Sequence, residues 1–270
     1  MGIKTDTLTL EMRALMDANL VEAYREFGRW QRSSQLVEKN GVLLMAGTTS
    51  FPLLMNYVVR FDSQVPALAI LDEAERFFNA LGRSFTIVSR GQADHDLEAA
   101  AEAAGWHQVL AVPWMVLGSK IDEPQIPPDV EIKQVTDEQG ILDARQVNAD
   151  AFESLDFPRA ETNAIFGVPG RLLSSNLRVY VAYLNGEPAS TAMILLTPQI
   201  AGVYWVGTKP AARGYGLAEA CCRVASYAGF SAGAKWVVLQ ASPMGESVYQ
   251  RIGYRTIDDQ FKCYLAPALS

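Results

Sequence analysis

Apolar and polar residues alternate in short runs along much of this 270-residue chain, separated by stretches with a helical period. Period-two alternation marks a half-buried strand, whereas apolar residues at i, i+3, i+4 and i+7 mark an amphipathic helix. In the first half, residues 34–47 (SQLVEKNGVLLMAG) predict a hairpin about Asn40-Gly41, because Asn-Gly supplies the two positive φ angles of a tight turn. A strand at 56–61, a helix at 66–81, a strand at 84–89, a helix at 96–105 and a strand at 107–117 follow. The second half repeats that order. Residues 178–183 and 189–196 flank Asn185-Gly186; then come a strand at 202–207, a helix, a strand at 235–241, a helix at 245–252 and a strand near 260–265. Helical periodicity precedes each set, at 12–27 and at 140–152.

Between the sets, residues 118–129 (GSKIDEPQIPPD) are polar and proline-rich with no apolar period, which predicts a linker. The expected organisation is therefore a first module at 1–117, a linker at 118–129 and a second module at 130–270. Each half ends its last helix on a glycine followed by an aromatic, Gly105-Trp106 and Gly253-Tyr254, with the glycine as helix C-cap. Shared order and shared detail predict an internal duplication. Counting back from the glycine-aromatic pair places Tyr249 opposite Ala101.

Composition narrows the function classes. With 49% hydrophobic and 20% charged residues the chain is globular and able to bury a core. A net charge of -7 without a basic run argues against DNA or RNA as partner. No apolar stretch is long enough to span a membrane, the amino terminus lacks a basic segment followed by an apolar run, and Asp6 stands where N-myristoylation requires serine or threonine. A cytoplasmic protein is expected. The 3 cysteines, Cys221, Cys222 and Cys263, have no metal-ligand spacing, and their odd number argues against a disulfide framework. The 2 histidines, His95 and His107, lie far in sequence from the candidate site described next, so neither a metal nor a histidine-based hydrolase is expected.

The candidate chemistry lies in residues 203–229 (VYWVGTKPAARGYGLAEACCRVASYAG), where a strand hands over to a helix through two glycines and an arginine. The first turn of a helix carries amides without intrahelical partners, and the helix dipole adds positive potential there. Gly214 and Gly216 remove the Cβ atoms that would hold an anion away, and Arg213 adds a charged fork, so the segment predicts a phosphate site. A P-loop is excluded because Leu217 and Ala218, not lysine and serine or threonine, follow Gly216. A dinucleotide fingerprint fits poorly: Glu219 takes the place of the third glycine, and the next strand carries no acid. A plain turn without ligand accounts for one glycine but not for two inside a first helical turn, where each costs stability.

The element order, with Arg-x-x-Gly-x-Ala at residues 213–218, resembles the GNAT superfamily of acyl-CoA-dependent N-acetyltransferases over roughly residues 130–265. VGTKPAARGYGLAEA, VVLQASPMGES and VYQRIGYR carry the resemblance. The first half looks like a degenerate copy, as in tandem GNAT proteins: its equivalent helix start, VPALAILDEA, has no glycine. The resemblance implies an α/β fold of two GNAT-like modules, each a mixed, mostly antiparallel sheet flanked by helices. It implies that the amides of Gly214, Tyr215, Gly216, Leu217 and Ala218 surround the pyrophosphate of coenzyme A, with Arg213 fixing the loop. It further implies that main-chain groups of Val206, Gly207 and Thr208 face the pantetheine arm and acyl carbonyl across a gap opened by a strand bulge. The first half is expected to fold without binding coenzyme A.

Acyl transfer from a thioester to an amine needs a neutral amine, a stabilised oxyanion and a proton for the departing thiolate. Tyr249 stands where the family places a tyrosine that reaches the coenzyme sulfur, so the resemblance implies a general acid; the alternative is a tyrosine packed in the core. Many members carry a glutamate on the strand before the motif, but IAGVYWVG has no carboxylate. A water relay, another residue or an already neutral amine must then serve. Glu153 and Asp156 fall in the region that borders the acceptor site in this family, or form a solvated acidic face. Tyr204, Trp205 and Phe157 either shape an acceptor pocket or belong to the core, and Cys221 and Cys222 read as small apolar fillers. The expected partners are acetyl-CoA as acyl donor and a small-molecule or peptide amine as acceptor, with homodimerisation left open. The alternatives to an N-acetyltransferase are a protein that senses acyl-CoA without turnover, which the missing strand carboxylate favours, and a pair of modules that mediate assembly only.

Overall fold

A computed structural model describes residues 10–267; Met1-Gly2 and Asp6, on which the acylation reading rests, lie outside the described residues. In chain order the first elements are α1 (Leu10–Trp30), β1 (Gln35–Lys39), β2 (Val42–Ala46), β3 (Asn56–Arg60), α2 (Ala67–Leu81), β4 (Thr86–Ser89), α3 (His95–Ala103) and β5 (His107–Leu117). They are followed by β6 (Val130–Gln134), α4 (Glu138–Glu153), α5 (Arg159–Ile165), β7 (Leu177–Leu184), β8 (Glu187–Thr197), β9 (Ile200–Thr208), α6 (Leu217–Ser231), β10 (Trp236–Gln240), α7 (Glu246–Ile252) and β11 (Arg255–Leu265). The fold is α/β, with both parallel and antiparallel strand pairs.

Two compact units form, one running to Trp114 and resuming at Asp258, the other spanning Met115–Ile257. The polar segment after β5 has no regular structure up to Pro127. The unit boundary nevertheless differs from the division at that segment expected from sequence. Met115 and Leu117, at the end of β5, enter the core of the second unit. Lys262–Leu265 of β11 pair antiparallel with Ser89–Thr86 of β4, in the first unit. A pattern of apolar runs reveals strands but not their partners, so these assignments were not readable from the sequence.

In the first unit the β1–β2 hairpin turns through Asn40 (φ 51) and Gly41 (φ 75), as Asn-Gly requires. β3 pairs antiparallel with β2 and parallel with β4. α2 buries Ile70, Leu71, Ala74 and Phe78 along one stripe against Val42, Leu44, Val58, Phe85 and Ile87. Phe78 stacks on Phe85 with ring centroids 4.3 Å apart. Burying one such side chain contributes about 1.5–3 kcal/mol, so this stripe fixes α2 on the sheet.

At the carboxyl ends of β3 and β4 the first unit is closed by charge. Arg60, 1% exposed, donates to Asp94 (2.8 Å), Asp96 (2.9 Å) and the carbonyls of Ala93 (2.9 Å) and Val65 (3.2 Å). Arg90 donates to Asp94 as well, at 2.8 Å. Asp17 of α1 lies 4.0 Å from Arg90. Burial pushes its carboxyl from 3.8 up to about 7; Asp94 and Asp259 push the same way, and the attraction of Arg90 and Arg13 is too weak to reverse it. The folded chain therefore keeps a proton here that the unfolded chain releases. The resulting penalty is absent below about pH 4, grows as pH rises to about 7 and is constant above. Asp17→Asn removes the titration, so urea unfolding at pH 5 and pH 8 should show the parent losing more stability over that interval than the variant. Equal losses would mean that Asp17 titrates as an ordinary carboxylate.

In the second unit the strand order is β10-β9-β8-β7-β6, with β6 to β9 antiparallel and β10 parallel to β9. A parallel neighbour requires a crossover, and α6 supplies it. Cys221, Cys222 and Ala225 of α6 pack on Ala182, Ala192, Ile194, Ala201 and Val203. All three cysteines are buried and unpaired, and burial raises the Cys221 thiol to about 12 and the Cys222 thiol well above its ordinary value, which leaves them neutral packing groups. α4 packs against β7, β8 and β9.

The helix endings anticipated from sequence take one hydrogen-bond pattern in both units. Trp106 N–H reaches the Ala101 carbonyl and Gly105 N–H that of Glu102, each at 3.0 Å; Tyr254 N–H reaches Tyr249 and Gly253 N–H reaches Gln250, also at 3.0 Å. Both glycines have positive φ, the arrangement that closes a helix with a left-handed cap. β6 and α5 were absent from the sequence reading. β6 is a partly exposed five-residue strand that directly follows the proline-rich segment, and α5 is a seven-residue helix, too short to establish a helical period. Among the described residues no helix is long and apolar enough to cross a membrane.

Candidate functional site

β9 is where the second unit opens. Thr191 pairs with Gly207 and Met193 with Tyr204, so Trp205 and Val206 both stand opposite Ala192, and Trp205 has φ 50. Two residues against one is a β-bulge, which bends the strand. Toward β10 the pairing ends at Gly202–Val238, leaving the later part of β9 without a partner on that side. On the β8 side the Trp205 carbonyl accepts from Thr191 Oγ1 (3.0 Å) and the Gly207 carbonyl from Ser190 Oγ (2.9 Å), while Lys209 N–H donates to the Ala189 carbonyl (2.9 Å). Main-chain groups alternate sides along a strand, so those of Val206 and Thr208 face the open gap. Gly207 is needed for close approach. A Cβ there would stand 2.8 Å from Asn148 Oδ1 and 3.1 Å from the Ala151 Cβ of α4.

The gap leads to the start of α6. Gly216, in the left-handed region at φ 73, is the N-cap and contributes no side-chain hydrogen bond. The first intrahelical bond, from Ala220 N–H to the Gly216 carbonyl at 3.0 Å, leaves the amides of Leu217, Ala218 and Glu219 without helical acceptors. Gly214 has φ 87, and nothing lies within 4 Å of where a Cβ would stand on either glycine. The amide surface is therefore open. Arg213 anchors the loop to the end of α4, donating to Ser154 Oγ at 2.5 Å and to the Ala151 carbonyl at 3.4 Å.

A cavity of about 430 Å³ joins these parts. Val206, Gly207, Thr208, Arg213, Gly214, Gly216, Leu217 and Ala218 line it, together with Tyr249 from α7. Tyr215 lies on the same loop, is 61% exposed and is not in the lining. Tyr249 is buried, its ring end sits over Gly245, and among the described residues its hydroxyl has no hydrogen-bond partner. Burial first, then the neighbouring Cys222 and Tyr254, raise its pKa well above the ordinary value. The phenol thus holds its proton at neutral pH, so it can give a proton but is not a phenolate that could take one.

Glu153 and Asp156 are not among the lining residues. Glu153 pairs with Arg159 at 2.9 Å, and Asp156 is an exposed turn residue with φ 64. Phe157, Tyr204 and Trp205 are buried outside the lining, with Trp205 edge-on to Phe152 (5.4 Å) and Phe166 (5.1 Å). The lining also includes Ala151 and Phe152 of α4, Leu155 in the turn that follows α4, Ser242 and Met244 before α7, and Glu219 and Arg251, none of which the sequence marks as a site residue. Ala151 stands in the last turn of α4 and Leu155 in the turn that closes it, where the Leu155 N–H donates to the Phe152 carbonyl at 2.9 Å; that both reach the cavity follows from where α4 ends, which no period within the segment encodes. Among the described residues no group of three or more His, Cys, Asp or Glu is placed to hold a metal ion.

No family model matches the chain, and no curated protein matches it. Solved structures do. A GCN5-related N-acetyltransferase from Kribbella flavida superposes with a TM-score of 0.69 at 17% identity, covering 96% of this chain and 97% of that one. A GCN5-related N-acetyltransferase from Sphaerobacter thermophilus gives 0.60 at 12% identity, covering 87% and 84% of the two chains. A tandem GNAT protein from the clavulanic acid biosynthesis pathway gives 0.59 at 15% identity, covering 89% and 85%. At these identities the likeness is one of architecture, and the chain has the fold of the GCN5-related N-acetyltransferases.

Proposed function

We propose that the chain is an acyl-CoA-dependent N-acetyltransferase that carries an acetyl group from acetyl-CoA to a primary amine by direct attack in a ternary complex. The observation that carries this reading is the convergence, in one cavity, of open amides at the start of α6, the unpaired edge of β9 and the unpartnered hydroxyl of Tyr249. The donor set fits the coenzyme. Amides of residues 214–218 offer donors to a pyrophosphate, and Arg213 keeps the loop in place through Ser154. Main-chain groups of Val206 and Thr208 offer an extended amide ligand the pairing that β10 does not supply. An N–H on this edge also stabilises charge growing on the acyl oxygen, and Tyr249 gives its proton to the departing thiolate. The acyl donor supplies the activated thioester; the chain supplies position, hydrogen bonds and that proton.

The single carboxylate in the lining, Glu219, is tied to Arg251 and Arg223 at 2.9 and 3.0 Å and is poorly placed to accept a proton from an amine. The amine must reach the thioester neutral or lose its proton to water. That same observation favours the second reading, an acyl-CoA sensor without turnover. The first unit, on our reading a degenerate GNAT-like module, holds no coenzyme, because Arg60 and its partners occupy the ends of β3 and β4. A screen of polyamines, aminoglycosides, amino acids and peptide amino termini with acetyl-CoA, read as free thiol released, tests the enzyme reading. Amine-dependent thiol release is the expected result; tight binding of acetyl-CoA with no amine acetylated would leave the sensor.

A further inference from the structure

Coenzyme A carries two anionic groups, a pyrophosphate and a ribose 3′-phosphate, and amides at one helix start can serve only the first. The second needs a cation at the cavity wall. Two lining residues are cationic, Arg213 and Arg251, and Arg213 directs a guanidinium nitrogen to Ser154 and the Ala151 carbonyl as an anchor of its loop. Arg251 is held differently. Its Nε donates to Glu219 Oε2 at 2.9 Å and its Nη1 to the Ser247 carbonyl at 3.1 Å, which leaves Nη2 without a protein acceptor among the described residues. Its side chain is 57% exposed.

The support around Arg251 is charged too. Arg223 donates from Nε to Glu219 Oε1 (3.1 Å) and from Nη2 to the Arg251 carbonyl (2.9 Å), joining α6 to α7. Burial pushes the Glu219 carboxyl up, but hydrogen bonds from Arg251 and Arg223 outweigh it and hold the group below its ordinary value. Glu219 stands in the first turn of α6, where a lone carboxylate would repel a bound phosphate. Neutralised by two arginines it becomes a bracket, and the trio carries a net positive charge.

On the coenzyme reading above, we infer that Arg251, positioned by Glu219, binds the 3′-phosphate of the acyl donor and makes the site select coenzyme A over its 3′-dephospho form. The free Nη2 supplies a charge-assisted hydrogen bond, and preorganisation by Glu219 and Ser247 reduces the side-chain entropy lost on binding.

Calorimetry with coenzyme A and with dephospho-coenzyme A separates this inference from the reading on which it rests. The parent should bind coenzyme A about ten- to hundredfold more tightly than the dephospho form, the worth of one charge-assisted contact. Arg251→Ala should lose most of that preference by weakening coenzyme A alone, and Arg251→Lys should keep part of it. Equal affinity of the parent for both ligands, or an Arg251→Ala variant that weakens both alike, overturns the inference and leaves the coenzyme reading standing. Binding of neither ligand overturns both.

Discussion

Tyr249→Phe should lower turnover by about 10² to 10⁴ while leaving acetyl-CoA affinity close to unchanged, because a positioned acid acts chiefly as charge develops on the leaving group. The structural ground is specific. The ring is buried against Gly245 and Tyr254, so phenylalanine keeps the packing, and the hydroxyl has no protein partner whose loss would disturb the fold. The raised pKa leaves the parent phenol protonated across the neutral range, so the defect should not be rescued by raising pH from about 6 to 8. Steady-state kinetics on the amine found by the screen, with calorimetry on the same variant, measures both quantities. Unchanged turnover would make Tyr249 a packing residue and pass the proton to water.

Gly216→Val should cost binding rather than chemistry. At φ 73 a β-branched residue is strained, and its side chain would enter the open space over the amides of α6. Loss of two charge-assisted amide bonds to a phosphate corresponds to about 3–6 kcal/mol, so acetyl-CoA affinity should fall at least about a hundredfold. Circular dichroism and thermal unfolding establish whether the variant stays folded, and Gly216→Ala offers a milder version of the same change. A folded valine variant with parental affinity would make the glycine turn a matter of chain geometry alone.

Much of the secondary structure was legible because it rests on local signals. Asn40-Gly41 and Asn185-Gly186 adopt the positive φ pairs that hairpins demand, and Gly105 and Gly253 close their helices as left-handed caps. The glycine pair before α6 was legible for the same reason, since φ 87 at Gly214 and φ 73 at Gly216 exclude most other residues. What escaped was long-range. Nothing in QFKCYL indicates that β11 pairs with β4, and nothing at Met115 indicates the core that it joins. The bulge at Trp205 arises from register against β8, which periodicity within β9 does not encode. Arg251 and Glu219 read as ordinary charges in sequence because their pairing joins helices 32 positions apart. Glu153 could be placed near the end of α4 from sequence, but the arginine that pairs with it, Arg159, stands beyond a turn that carried no period.

The contrast between the units gives the account its sharpest consequence. At the strand ends the first unit has a buried arginine bound to two aspartates, and the second has an open cavity. Calorimetric titration of the whole chain with acetyl-CoA tests this directly. The account predicts one site per chain, retained in Tyr249→Phe and lost in Gly216→Val. No heat at about millimolar ligand, a concentration at which even a weak complex with −4 kcal/mol of binding free energy is half formed, would contradict it, as would two equivalent sites per chain.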